Sequence, residues 1–157
     1  MGLRGAMAAQ NMIVKEIFFS SAEYEGAKRV REEALRLPLG MRLSPRDVEG
    51  EREQIHFAAL DERGSVVGTV ILKPLSAGLV KLRQMAVAPS LQKSGIGRKL
   101  VELALQTARA RDFKVMELHS RMSARGFYEK LGFKAEGEVF TESTLPHVKM
   151  TLNLPHR

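Results

Sequence analysis

Apolar residues recur along the chain with two periods, and each switch between them marks a new element. The β-branched and aromatic run IVKEIFFS (13–20) predicts a strand. In SSAEYEGAKRVREEALRL, Tyr24, Ala27, Val30, Ala34 and Leu37 fall near helical spacing, and Ser20 and Glu23 stand at capping-box distance, so a helix follows. PLGMRLSPRDVEGERE (38–53) carries two prolines, two glycines and a cluster of carboxylates, which predicts a long irregular loop of the kind that is often functional. QIHFAALDERGSVVGTVILKPL then reads as a hairpin turning around Glu62 to Ser65, and GLVKLRQMAVAP as a further strand closed by Pro89. From Gly95 the period becomes helical, with Ile96, Leu100, Leu103, Ala104, Thr107 and Ala108 on one face. FKVMELHS (113–120) predicts a strand and SARGFYEKLGF a short helix with Ala124, Phe127, Tyr128 and Leu131 on one stripe, stopped by Gly132. Two last strands are expected at FKAEGEVF and HVKMTLNL, with TESTLP between them. The order β, α, long loop, three strands, α, β, α, two strands predicts a mixed α/β or α+β sheet with helices on its faces.

Composition narrows the classes. The 157 residues suit one domain with its own core, here expected over 12–157, with residues 1–11 as a mobile leader upstream of a start at Met12. No stretch is apolar for long enough to span a membrane, and no signal-type apolar region develops in the leader. The chain has no cysteine, which removes disulfides, thiolate metal sites and a cysteine nucleophile. No metal site is expected, and a cytoplasmic location is the default. The net charge is +7, and between Leu79 and Lys114 eight basic residues face two acidic ones, so that segment alone carries +6. A positive field centred there would suit an anionic ligand. A nucleic-acid-binding module would interleave such charge with stacking aromatics, whereas this segment offers only Phe113.

The charge surrounds QKSGIGRKL (92–100). Glycines at a helix start let a phosphate approach unpaired backbone N–H groups at the positive end of the helix dipole. A tight strand-to-helix turn would need the same glycines. A P-loop requires G-x-x-x-x-G-K followed by Ser or Thr, which is absent. A dinucleotide fingerprint places a third glycine where Leu100 stands, and Pro89 to Ser94 separate strand from motif by too much, although Glu117 lies near the place of a ribose-binding acid.

LRQMAVAPSLQKSGIGRKLVELAL resembles the acetyl-CoA motif of the GNAT superfamily of N-acetyltransferases, a strand ending in a V-x-P type turn followed by Gln or Arg, two residues, Gly, one residue, and Gly or Ala. Gln92, Gly95 and Gly97 fill those positions, and ARGFYEKLGF resembles the family's tyrosine-bearing helix. LRLPLG, IHFAALDERGSVVG and GEVFTESTLPHVKM extend the likeness to the ElaA-like and YjcF-like branch over roughly residues 13 to 154. The resemblance implies a central mixed, mostly antiparallel sheet of about six to seven strands flanked by helices. It implies acetyl-CoA (coenzyme A) as acyl donor and a primary amine, on a small molecule or a peptide, as acceptor. Backbone groups of Met85, Ala86 and Val87 would take the pantetheine amide and thioester carbonyl, and Gln92, Lys93, Ser94, Gly95, Ile96, Gly97 and Arg98 the pyrophosphate. Tyr128 would be the general acid for the departing thiolate, and a homodimer is expected. Arg121 stands where many members have an Asn that contacts the cofactor arm. A non-catalytic acyl-CoA sensor of the same fold is the alternative.

An amine acceptor must first lose a proton. With a pKa near ~10.4, its neutral form costs about 4 to 5 kcal/mol at neutral pH. The strand LVKLRQMAV carries no carboxylate to accept that proton. The candidates are Glu51, Glu53 and His56 near the loop, His119 at a strand end, and Glu142 and His147 near the last turn. The loop's Asp47, Glu49, Glu51 and Glu53 outnumber Arg46 and Arg52 and could draw a cationic amine, and Met41 and Met122 could wall the site.

Overall fold

The structure is a computed structural model that describes residues 11–155. Apart from Asn11, the expected leader lies outside the described residues. Among them, seven strands stand in the order β1, β2, β3, β4, β5, β7, β6: β1 (Ile13–Ile17), β2 (Ile55–Leu60), β3 (Val66–Ser76), β4 (Leu79–Val87), β5 (Val115–Arg121), β6 (Lys134–Glu142) and β7 (Leu145–Asn153). β4 and β5 are parallel, while β1 with β2, β2 with β3, β5 with β7 and β6 with β7 are antiparallel. The expected mixed, mostly antiparallel sheet is therefore found. Three α-helices are described: α1 (Ala22–Arg31), α2 (Ile96–Ala110) and α3 (Arg125–Lys130). The chain folds as two compact units, one running to Lys73 and resuming over Gln84–Ala104, the other made of Pro74–Arg83 and the chain from Leu105 on.

In the first unit, β1 ends at Ile17, short of the expected 20, because Ser20 turns left-handed (φ 67°). The helix is capped by Ser21, whose Oγ accepts the Tyr24 N–H (3.1 Å), so the cap lies one residue later than the Ser20–Glu23 spacing suggested. Tyr24, Ala27 and Val30 on α1 pack with Ile17, Ala58, Leu60, Val66 and Ala86. Burying such side chains is worth about 1.5 to 3 kcal/mol for each large aliphatic one. Beyond Arg31 the helix widens into a π-turn (Glu32–Arg36) and ends at the left-handed Gly40. The irregular loop contains two short 3₁₀ turns, Pro45–Val48 and Glu51–Glu53. β2 is buried along its whole length, and β3 carries Gly68 where a Cβ would come within 3.0 Å of both Ile96 Cγ2 and Leu100 Cδ1. That glycine lets the start of α2 sit directly on the sheet.

In the second unit, β4 pairs with β5 over Leu79–Leu82 against Val115–Leu118. Val80, Leu82, Met116, Leu118, Val148 and Met150 alternate inward as the period of two requires. α3 presents a narrower apolar face than its stripe suggested: Tyr128 is buried, but Phe127 is exposed. Gly132 ends it with φ 100°, as expected. The expected TESTLP loop is a two-residue turn, Ser143 and Thr144, both left-handed (φ 49° and 67°) as a tight hairpin turn requires. β6 accordingly runs to Glu142 and β7 starts at Leu145.

Candidate active site

The glycine motif lies in the first unit. Ala88 N–H donates to Val67 O (2.8 Å) and Leu91 N–H to Ala88 O (2.8 Å), which turns the chain off β4, and Gln92 Nε2 donates back to Val87 O (3.3 Å). Lys93 (φ 65°) and Gly95 (φ 93°) are left-handed, and α2 starts at Ile96 with Lys99 N–H bonding Gly95 O (3.2 Å). The N–H groups of the first helical turn, those of Ile96, Gly97 and Arg98, therefore have no carbonyl within the helix to bond. Gln92, Lys93, Arg98 and Lys99 are exposed around them, while Ile96 anchors the turn in the core. Backbone donors at a helix start with exposed basic side chains in the same segment suit a pyrophosphate. Met85, Ala86 and Val87 close β4 just after Gln84, a non-glycine residue held left-handed at φ 56°.

The same unit contains a buried polar network that sequence reasoning did not find. Arg31, fully buried, donates from Nη1 and Nη2 to the two carboxylate oxygens of Glu51 (2.8 Å each), and Tyr24 Oη donates to Glu51 Oε1 (2.7 Å). Arg31 Nε reaches Gln84 Oε1 (3.3 Å), tying helix α1 to the left-handed residue of β4. Burial first, then the bond to Glu51, pushes the Tyr24 phenol above its usual range. The missed signal was Arg31 at i+4 from Ala27 and i+7 from Tyr24, on the buried face of the helix. Of the loop's carboxylates, Glu51 is taken up by Arg31 and Asp47 by Arg36 (3.1 Å). His56 is buried, its Nε2 on Glu51 O (2.7 Å) and its ring edge-on to Tyr24 (5.1 Å). Glu53 is exposed on the 3₁₀ turn, and Met41 is exposed as well.

In the second unit three of the base candidates meet. His119 Nδ1 lies 2.9 Å from Glu142 Oε1, and His147 Nε2 lies 3.8 Å from Glu142 Oε2. Phe140 is edge-on to the His119 ring (5.0 Å) and stacked on His147 (6.0 Å). Lys81 Nζ stands 3.4 Å from His119 Nδ1. Arg121 and His147 are cross-strand partners at the carboxyl end of β5. Tyr128 sits on α3 with Phe127 (5.0 Å) and Phe133 (5.8 Å) edge-on to its ring. Burial pushes its phenol above the usual range, and its hydroxyl has no hydrogen-bond partner among the described residues. A phenol so placed stays protonated at physiological pH.

Comparison with known proteins bears on the family and the fold. A model of the acetyltransferase (GNAT) domain matches residues 27–154. A protein of Bacillus subtilis (strain 168), assigned by name to the acetyltransferases, is 34% identical over 71 residues, 45% of this chain and 48% of that one. In that alignment the chain thus spans about half the length of its relative. In structure the chain is similar to Escherichia coli ElaA, with TM-score 0.77 at 17% identity, covering 89% of this chain and 98% of that one. It is also similar to an aminoglycoside 6'-N-acetyltransferase complexed with coenzyme A, with TM-score 0.74 at 20% identity, covering 92% and 98%. At those identities the structural likeness speaks for the fold alone. Among the described residues no helix is long and apolar enough to cross a membrane. The family match over most of the chain and the sheet order lead to one assignment: the chain belongs to the GNAT acetyltransferase family.

Proposed function

We propose that the protein is an N-acetyltransferase of the cytoplasm that moves an acetyl group from acetyl-CoA to a primary amine by direct attack. The observation that carries this reading is the left-handed Gly95 at the start of α2, with basic side chains around the first-turn N–H groups, inside a matched acetyltransferase domain. Residues Gln92 to Arg98 would hold the pyrophosphate, and the backbone of Met85 to Val87 the pantetheine and the thioester carbonyl, where N–H donors aimed at developing oxyanion charge are most effective. Tyr128 would hand its proton to the departing thiolate, which suits a phenol kept protonated by burial. Acetyl-CoA, when bound, supplies the activated acyl group.

Replacing Gly97 by Asp tests the cradle. It puts a side chain and a negative charge on the second residue of α2. Calorimetric titration with acetyl-CoA should show at least a tenfold loss of affinity, roughly the effect of one unfavourable charge at a helix N-terminus plus a steric block. Unaltered affinity would remove the motif from the binding site.

A further inference from the structure

Resting on the transferase reading, we infer that Gln84 and Arg31 are positioning residues: the bond from the Arg31 guanidinium to the Gln84 side chain fixes a kink in β4 that aims the backbone donors of Met85 to Val87. Both residues lie in the first unit, with those donors and the glycine motif. Among the described residues Gln84 is the one non-glycine residue that is left-handed inside a strand (φ 56°). The others, Ser20, Lys93, Asp112, Ser143 and Thr144, stand in turns. The left-handed region crowds the Cβ of an L-residue against its own carbonyl, so a strand residue stays there only when its surroundings hold it.

What holds Gln84 is a chain of buried bonds. Its Oε1 accepts from Arg31 Nε (3.3 Å). Arg31 cannot swing away: Nη1 and Nη2 each donate to an oxygen of Glu51 (2.8 Å), Nη2 also reaches Asp47 O (3.4 Å), and Tyr24 Oη donates to Glu51 Oε1 (2.7 Å). A guanidinium is a planar fork, so fixing two of its nitrogens on Glu51 fixes the direction of the remaining N–H, which meets Gln84. Beyond the kink, Ala86 is buried and packs in the cluster of Tyr24, Ala27 and Val30. The kink is thus held on one side through a side chain and on the other through the apolar face of α1. A left-handed residue in a strand re-aims the peptide groups that follow it. In the transferase reading those groups receive the pantetheine amide and the thioester carbonyl, and donors for developing oxyanion charge are effective when their direction is set in advance. Stability alone does not explain a buried Arg31–Glu51 pair, because apolar residues of similar volume commonly serve as well or better. Holding Gln84 gives the pair a task.

The test needs no acceptor. Gln84→Met keeps length and bulk but offers Arg31 Nε no oxygen, whereas Gln84→Glu still offers one. Cross-correlated relaxation in the unliganded protein, which reads the sign of φ, should give a positive φ at residue 84 in the wild-type protein and in Gln84→Glu, and its loss in Gln84→Met. Each protein is then titrated calorimetrically with acetyl-CoA and, loaded with acetyl-CoA carrying ¹³C at the thioester carbonyl, measured by difference infrared spectroscopy. A carbonyl held by N–H donors absorbs at lower wavenumber than in free acetyl-CoA. The wild-type protein and Gln84→Glu should share that shift. Gln84→Met should lose most of it, while its affinity falls by no more than about tenfold, the scale of one lost hydrogen bond. Gln84→Asn tolerates the left-handed region but is a methylene short of Arg31, so it should lose the shift as well, and it serves if Gln84→Met does not fold. A positive φ retained in Gln84→Met, or a wild-type carbonyl band in Gln84→Met or Gln84→Asn, overturns the positioning role, and so does a Gln84→Glu protein without that band. A wild-type protein that binds no acetyl-CoA, or holds it with the carbonyl band of the free compound, sinks the transferase reading's placement of the thioester, while the comparison of φ stands on its own.

Discussion

Tyr128 and Asp47 show how surroundings set the task of a single side chain. Tyr128 is a buried residue with edge-on aromatic neighbours, so replacing it by Phe removes one oxygen and little packing. Steady-state kinetics of Tyr128→Phe should show turnover down by about 10² with acetyl-CoA affinity intact, and a variant as fast as wild type would make the protein's own phenol dispensable. Asp47 is a structural contrast. Burial alone would raise its carboxyl, but the Ser44 N–H (2.8 Å) and the Arg36 guanidinium outweigh that and hold it below the usual aspartate range. A depressed folded-state value means stability that is present above the unfolded value, near ~3.9, and lost as pH falls through the folded one. Denaturant midpoints measured down to pH 3 should therefore fall less steeply in Asp47→Asn than in wild type. At this scale the sequence was legible in kind but not in partner: the six base candidates were named, yet no spacing rule brings His119, Glu142 and His147 together across strands whose register depends on a turn.

Among the elements, α1 and the loop after it carry the largest departure from the sequence reading. The loop's acidic residues read as a surface that could attract a cation, because runs of mixed charge and proline are usually solvated. Instead Glu51 is 1% exposed and doubly bonded to Arg31, which is 0% exposed. Hydrophobic periodicity cannot register an ion pair that is buried by virtue of its own pairing. Removing one partner strands the other charge, so Arg31→Met should lower unfolding free energy by about 3 to 5 kcal/mol in urea titrations. The double change Arg31→Met with Glu51→Leu should recover most of that loss. A single variant as stable as wild type would mean that the pair is not buried in solution. The strands and α2 were legible because each has a clean period and a glycine or proline stop. α3 was less so, since a helix of six residues has too few turns to average its pattern, and Phe127 fell outside the core.

Over the whole molecule the charge of +7 is unevenly spread, and the basic surplus of the segment around the glycine motif was visible from the chain alone. If it serves an anionic ligand, acetyl-CoA affinity should weaken several-fold between roughly 0.05 and 0.5 M salt, as screening of exposed charges requires. Salt-independent binding would leave that surplus without a part in cofactor capture. The hairpin of β6 and β7 has a different kind of consequence. Its turn of Ser143 and Thr144 sets which side of the sheet Glu142 occupies, and adding or removing one residue there would carry Glu142 to the opposite side. The length of this turn is thus fixed by the side that Glu142 must occupy, and its composition by two left-handed positions that few residue types fill without strain.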